Sequence, residues 1–157
     1  MISIPVDFLH RIEAAAVAAY PRECCGLLAG TGHINGDIAV TRMEPSANLA
    51  DVSRSDRFEI DPEMRFRLMR EIGEFDRLER DQVDPGQEHI IGHYHSHPDH
   101  PARPSATDLE MAFEPDLLWL IVAIAGGVVG ETTVHRLDNT GRAFEKIPFR
   151  AMTGQEP

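Results

Sequence analysis

The sequence predicts a single mixed α/β domain, one central sheet with helices packed on it. Two helical stretches with an apolar face alternate with apolar runs of strand length. The length of 157 residues, 42% hydrophobic and 26% charged, suits one globular core rather than two. The longest strongly apolar run, residues 117–125, falls far short of the roughly 20 residues that a membrane helix needs, so it reads as a buried strand.

Residues 7–20 form the first expected helix: Leu9, Ile12, Ala16 and Ala19 recur at helical spacing, alanine is dense, and Pro21 stops it. Residues 25–29 are a short apolar strand bounded by Gly30-Thr31-Gly32. Residues 34–43 contain the turn signal Asn35-Gly36 and the run Ile38-Ala39-Val40, giving a meander of two or three strands. Residues 45–57 read as a polar connecting loop. The next helix is capped by Asp61 with Pro62 in its first turn; Met64, Leu68, Ile72 and Phe75 line one face. Its other face, Arg65 through Arg80, is charged and solvated, and Asp84-Pro85-Gly86 ends the segment. Residues 88–97 read as a strand entering a loop with Pro98, Pro101 and Pro104, and residues 105–113 open a short helix. The buried strand 117–125, a Gly126-Gly127 turn, a strand over 128–137 and an edge strand over 142–149 complete the sheet. The domain is expected over 1–150, with 151–157 as a frayed tail.

Basic residues number 15 and acidic residues 26, a net charge of −11. Such a surface repels phosphate backbones and anionic bilayers, so neither nucleic acid nor membrane is expected as a partner. The two cysteines, Cys24 and Cys25, are adjacent, which rules out a disulfide scaffold. Residues 1–7 lack the basic start and apolar stretch of a signal peptide, so the expected compartment is the cytoplasm.

The chemistry concentrates in Gly92-His93-Tyr94-His95-Ser96-His97-Pro98-Asp99-His100. On a strand, His93, His95 and His97 share a face. Two imidazoles at that spacing can grip one zinc ion, which accepts imidazole nitrogen and carboxylate oxygen. The third ligand has two candidates. Asp99 and His100 complete His-x-His-x-Asp-His, which resembles the metallo-β-lactamase signature. That superfamily places further His and Asp ligands downstream, and here only His135 follows among histidines. Alternatively, Asp108 follows His97 after ten intervening residues, with Ser105 three positions before it. Ser-x-x-Asp is also a helix capping box, and the two roles are compatible: a capped first-turn Asp is a rigid ligand.

His-x-His-x10-Asp with its embedded Ser-x-x-Asp resembles the JAMM motif of the MPN-plus metalloproteases, the zinc deubiquitinases and their short prokaryotic JAB-type relatives. The family's upstream glutamate is matched by Glu23 within Tyr20-Pro21-Arg22-Glu23-Cys24-Cys25-Gly26-Leu27-Leu28-Ala29-Gly30. The resemblance implies a cytidine-deaminase-like three-layer α/β/α fold with a mixed central sheet. It also implies one catalytic zinc per chain on His95, His97 and Asp108, leaving a fourth position for water. Glu23 would be the general base and acid, and Ser105 the oxyanion donor. The reaction implied is hydrolysis of an amide or isopeptide bond after the C-terminal glycine of a ubiquitin-like protein. The short members point to a sulfur carrier with a Gly-Gly tail, threaded between residues 45–57 and the loop around Pro101. His93 lines the cleft at most, and Cys24, Cys25, Asp99 and His100 take structural or surface roles. Other classes stay open: a metallo-β-lactamase-like or deaminase-like zinc hydrolase, or a silent MPN scaffold. A deaminase would want Cys-x-x-Cys after the histidines, and silent scaffolds lose ligands that are all present here. Oligomeric state stays open too.

Overall fold

The computed structural model describes residues 1–75 and 84–154. The elements run β1 (Ile2–Pro5), α1 (Val6–Ala19), β2 (Cys25–Gly32), β3 (Ile38–Ser46), α2 (Pro62–Glu71), β4 (His89–Pro98), α3 (Ala106–Glu110), β5 (Leu118–Ala125), β6 (Val128–Leu137), β7 (Phe144–Ile147) and β8 (Phe149–Met152). The strands form one mixed sheet in the order β7-β6-β5-β4-β2-β3-β1-β8. β4 sits at its centre, antiparallel to β2 and parallel to β5.

The two helices cover opposite faces, as the sequence-based fold class requires. α1 places Ile12 and Ala16 in a core with Leu28, Ile91, Tyr94, Leu120 and Val122. On the other face, Met64, Leu68 and Ile72 from the α2 segment pack with Leu27, Ala29 and Ile90. Leu27 and Leu28 enter different cores because side chains alternate along a strand. The start of α2 follows the expected chemistry: the Asp61 carboxylate accepts from the Glu63 amide at 2.9 Å, and Pro62 occupies the first turn. Its far end stops at Gly73, held at φ +70°. Residues 76–80 of the expected charged face lie outside the described residues.

In β4 one detail aims the histidines. Leu28 pairs with Gly92 and Ala29 with Ile90, so Ile91 is an extra, bulged residue. A bulge re-phases the strand. Ile91 and Tyr94 therefore both enter the α1 core, while Leu27 stands opposite His93 and Cys25 opposite His95. Gly92 permits this pairing, since a Cβ there would strike the Leu118 carbonyl of β5.

Four features depart from expectation. β1 forms a strand of its own, pairing parallel with β3 and β8. The loop expected from residue 45 begins later, because β3 runs through Ser46. The edge strand expected over 142–149 breaks at Pro148 into β7 and β8, which lie at opposite ends of the strand order. Neighbours in sequence can sit at both ends only if the sheet curls until its edges approach. Ala151 and Met152 pair with Ile4 and Pro5, so they belong to the sheet rather than to a frayed tail. Residues 155–157 lie outside the described residues.

Candidate functional site

β4 carries His95 and His97 out of the sheet centre, and the loop through Pro98, Pro101 and Pro104 returns the chain to the cap of α3. Ser105 Oγ accepts from the Asp108 amide at 3.0 Å, while the Ser105 amide donates to Asp108 Oδ2 at 2.7 Å. This reciprocal capping box leaves Asp108 one orientation, toward the histidines. His95 Nε2 lies 3.0 Å from His97 Nε2 and 3.3 Å from Asp108 Oδ1; His97 Nε2 lies 3.1 Å from Asp108 Oδ2. All three residues are buried.

These separations fit a metal ion. Ligand atoms tetrahedrally disposed at 2.0–2.2 Å from zinc stand roughly 3.3–3.6 Å apart, a few tenths of an ångström wider than the separations in this cluster. His97 Nδ1 donates to the Pro101 carbonyl at 2.8 Å, which turns its Nε2 lone pair inward. His95 and His97 then face each other through nitrogen atoms that can share at most a proton or a cation. Burial lowers the pKa of His95. Burial acts the same way on His97, but its bonds to Asp108 and the Pro101 carbonyl outweigh it and raise the imidazole. Burial would raise Asp108; the hydrogen bonds from His95 and His97 win and hold it well below the usual carboxylate range. Among the described residues, His95, His97 and Asp108 are the one group of metal-ligating side chains converging within 4.8 Å.

The site opens on a cleft of about 590 Å³ whose lining includes Glu23, Asp56, His97, Arg103 and Ser105. Glu23 is 5% exposed, and its Oε2 has no hydrogen-bond partner among the described residues. Burial pushes its pKa up to about 8, with His97 pulling down and Asp108 pushing up. Ser96, between the two histidines, reaches far across the fold: its Oγ accepts from the Cys24 amide at 2.8 Å, beside Glu23. Periodicity foretold its face but not this long-range partner.

Asp99 takes no part in the cluster. It sits at φ +57°, with its carboxylate on the Tyr20 hydroxyl at 2.8 Å and the Gly126 amide at 2.9 Å. His100 lines the cleft mouth. His93 is buried against Trp119, ring centroids 4.1 Å apart, and burial drops its pKa to about 3. Cys24 and Cys25 are both buried free thiols, and burial pushes Cys25 up to about 12. Phe58 is the residue that sequence reasoning missed. Its ring stacks on His95 at 4.4 Å and 20°. No periodic signal marks it, because it lies in an irregular segment.

Fold and site together define a mixed α/β domain with a buried cluster of two histidines and one aspartate that could hold a metal ion, opening on a cleft. Residues 5–138 match the family model described as prokaryotic homologues of the JAB domain, and the chain belongs to that family. A desampylase from Haloferax volcanii is 32% identical over 141 residues, covering 90% of this chain and 86% of that protein. A solution structure of a Desulfitobacterium hafniense protein superposes with a TM-score of 0.71 at 28% identity, covering 98% of this chain and 96% of that one. A structure described as a JAMM metalloprotease-like zinc site in the proteasome and signalosome shares the fold at a TM-score of 0.53 and 18% identity, covering 96% and 95%. No helix among the described residues is long and apolar enough to cross a membrane.

Proposed function

We propose that this chain is a zinc-dependent hydrolase that cleaves an amide or isopeptide bond after the C-terminal glycine of a small ubiquitin-like or sulfur-carrier protein. The observation that carries the reading is the convergence of His95, His97 and Asp108 within 4.8 Å beside the unpartnered, buried Glu23. Zinc held by the three side chains supplies Lewis acidity for water and for the scissile carbonyl. Glu23, buried beside the cluster, would take the proton of the attacking water and return it to the leaving amine. Ser105 Oγ accepts from the Asp108 amide, so its own hydrogen stays free to donate to the developing oxyanion. The carbonyl carbon gains an oxygen, the C–N bond breaks, and the carrier leaves with a free carboxylate.

The similarity to a desampylase supports the carrier class. A Gly-Gly tail presents no side chains and passes where bulkier residues would clash. The test is mass spectrometry of a carrier–cysteine or carrier–peptide conjugate with enzyme, with chelated enzyme, and with Glu23→Gln. Release after Gly-Gly should be chelator-sensitive and slower by about 10²–10⁴ in Glu23→Gln, whose metal content stays normal. Hydrolysis of small unrelated amides without cleavage of any Gly-Gly conjugate would remove the carrier and leave the hydrolase.

A further inference from the structure

Asn48 stands at the start of the segment that runs from β3 along the cleft wall to α2. Its amide uses the whole of its hydrogen-bonding capacity. Nδ2 donates to the carbonyls of Glu23 at 3.1 Å and Arg57 at 3.2 Å. Oδ1 accepts from the amides of Ala50 and Glu59, both at 3.0 Å. Carbonyls on one side and N–H groups on the other admit a single orientation of the side chain. The acceptor half closes the segment on itself, reinforced by the Leu49 amide on the Glu59 carbonyl at 2.9 Å. The donor half does something else: it ties that closed segment to the backbone of Glu23. The Arg57 carbonyl it holds immediately precedes Phe58, the ring stacked on His95. Asp56, one residue earlier, lines the same cleft. Ser96 secures the next residue after Glu23 from the opposite side, through the Cys24 amide.

We infer that Asn48 is a positioning residue whose two N–H donors set the Glu23 carboxyl and the Phe58 cover of His95 in one geometry. The inference rests on the reading of Glu23 as the proton-transfer group. Asn48→Asp tests it, because the substitution keeps the acceptor half, abolishes both donors and sets a carboxylate oxygen against two carbonyls. The metal content of Asn48→Asp should match wild type. Its kcat should fall on the order of 10²-fold with KM unmoved, the scale of a small misplacement of a reacting group. Asn48→Asp combined with Glu23→Gln should be no slower than Glu23→Gln alone, since the rate loss of Asn48→Asp runs through the Glu23 carboxyl. Trp119, the single tryptophan, meets Phe58 edge-on at 6.2 Å, so its emission should shift in Asn48→Asp in the same direction as in a Phe58→Leu control, with or without metal. Asn48→Ser repeats each measurement should Asn48→Asp not fold. Wild-type kcat and unshifted Trp119 emission beside a slow Glu23→Gln overturn the inference alone, as do losses that multiply in the double variant. A wild-type rate for Glu23→Gln overturns the reading beneath it.

Discussion

His95 and His97 share one strand face, and Asp108 follows after a single proline-rich loop. Glu23, Asn48 and Phe58 come from the α1–β2 corner and from the segment between β3 and α2. The ligand side is assembled by local rules: strand alternation, three prolines and a capping box. The carboxylate side is assembled by long-range bonds, Asn48 to Glu23 and Ser96 to Cys24. Local rules tolerate distant change, whereas a side built from remote bonds depends on every partner. The ligand side also favours charge, holding Asp108 ionised, while the carboxylate side withholds solvent from Glu23 and favours its protonated form.

The largest effects should come from breaking the ligand side. His95→Ala, His97→Ala and Asp108→Ala should each abolish stoichiometric metal and activity, whereas Asp99→Ala and His100→Ala keep most of the metal. Metal analysis of the purified variants decides; loss in Asp99→Ala with retention in Asp108→Ala would transfer the ligand role to the wrong side of the loop. Ser105→Ala comes next. It should lower kcat on the order of 10²–10³-fold as a lost oxyanion donor, and it should also lower stability by about 1 kcal/mol as a lost N-cap. Steady-state kinetics and a urea titration separate the two effects.

The smallest effect probes the carboxylate side without any turnover. In chelated protein burial pushes the folded-state pKa of Glu23 up to about 8, well above the ordinary carboxylate range. The native state then holds a proton that the unfolded state has already released, so stability falls as pH rises from about 4.5 to about 8 and levels off above it. Glu23→Gln lacks that dependence. The difference between the two stability curves should favour the variant increasingly across this window, by an amount on the order of a few kcal/mol at its upper end. Parallel curves would show that Glu23 titrates normally and that its burial does not shift it. Comparing the two proteins cancels the contribution of His93, whose shift does not involve Glu23.

Much of the ligand side was legible before any coordinates. His95, His97, Ser105 and Asp108 sit at spacings that strand period and helix capping convert directly into directions in space. The α2 cap at Asp61 and the faces of α1 and α2 followed from the same kind of pattern. β1 and β8 were not legible as partners: each has four residues, β8 is a strand because β1 lies beside it, and β1 because it lies between β3 and β8. The split at Pro148 was equally hidden, since composition cannot say that β7 and β8 leave toward opposite edges of a curling sheet.

Glu23 was singled out by its resemblance to a family segment, not by local physics, for an isolated carboxylate after a proline carries no directional signal. The sequence by itself determined the alternating faces, the capped aspartate, the single acidic domain and the histidines on one strand, because each depends on residues within a few positions of one another. Only the tertiary structure decided that Ile91 bulges and re-phases β4, that Ser96 and Asn48 clasp Glu23 from two sides, and that Phe58 covers His95. Those arrangements are hydrogen bonds and ring contacts between segments dozens of residues apart, and their geometry exists only once the sheet has curled and brought the segments together.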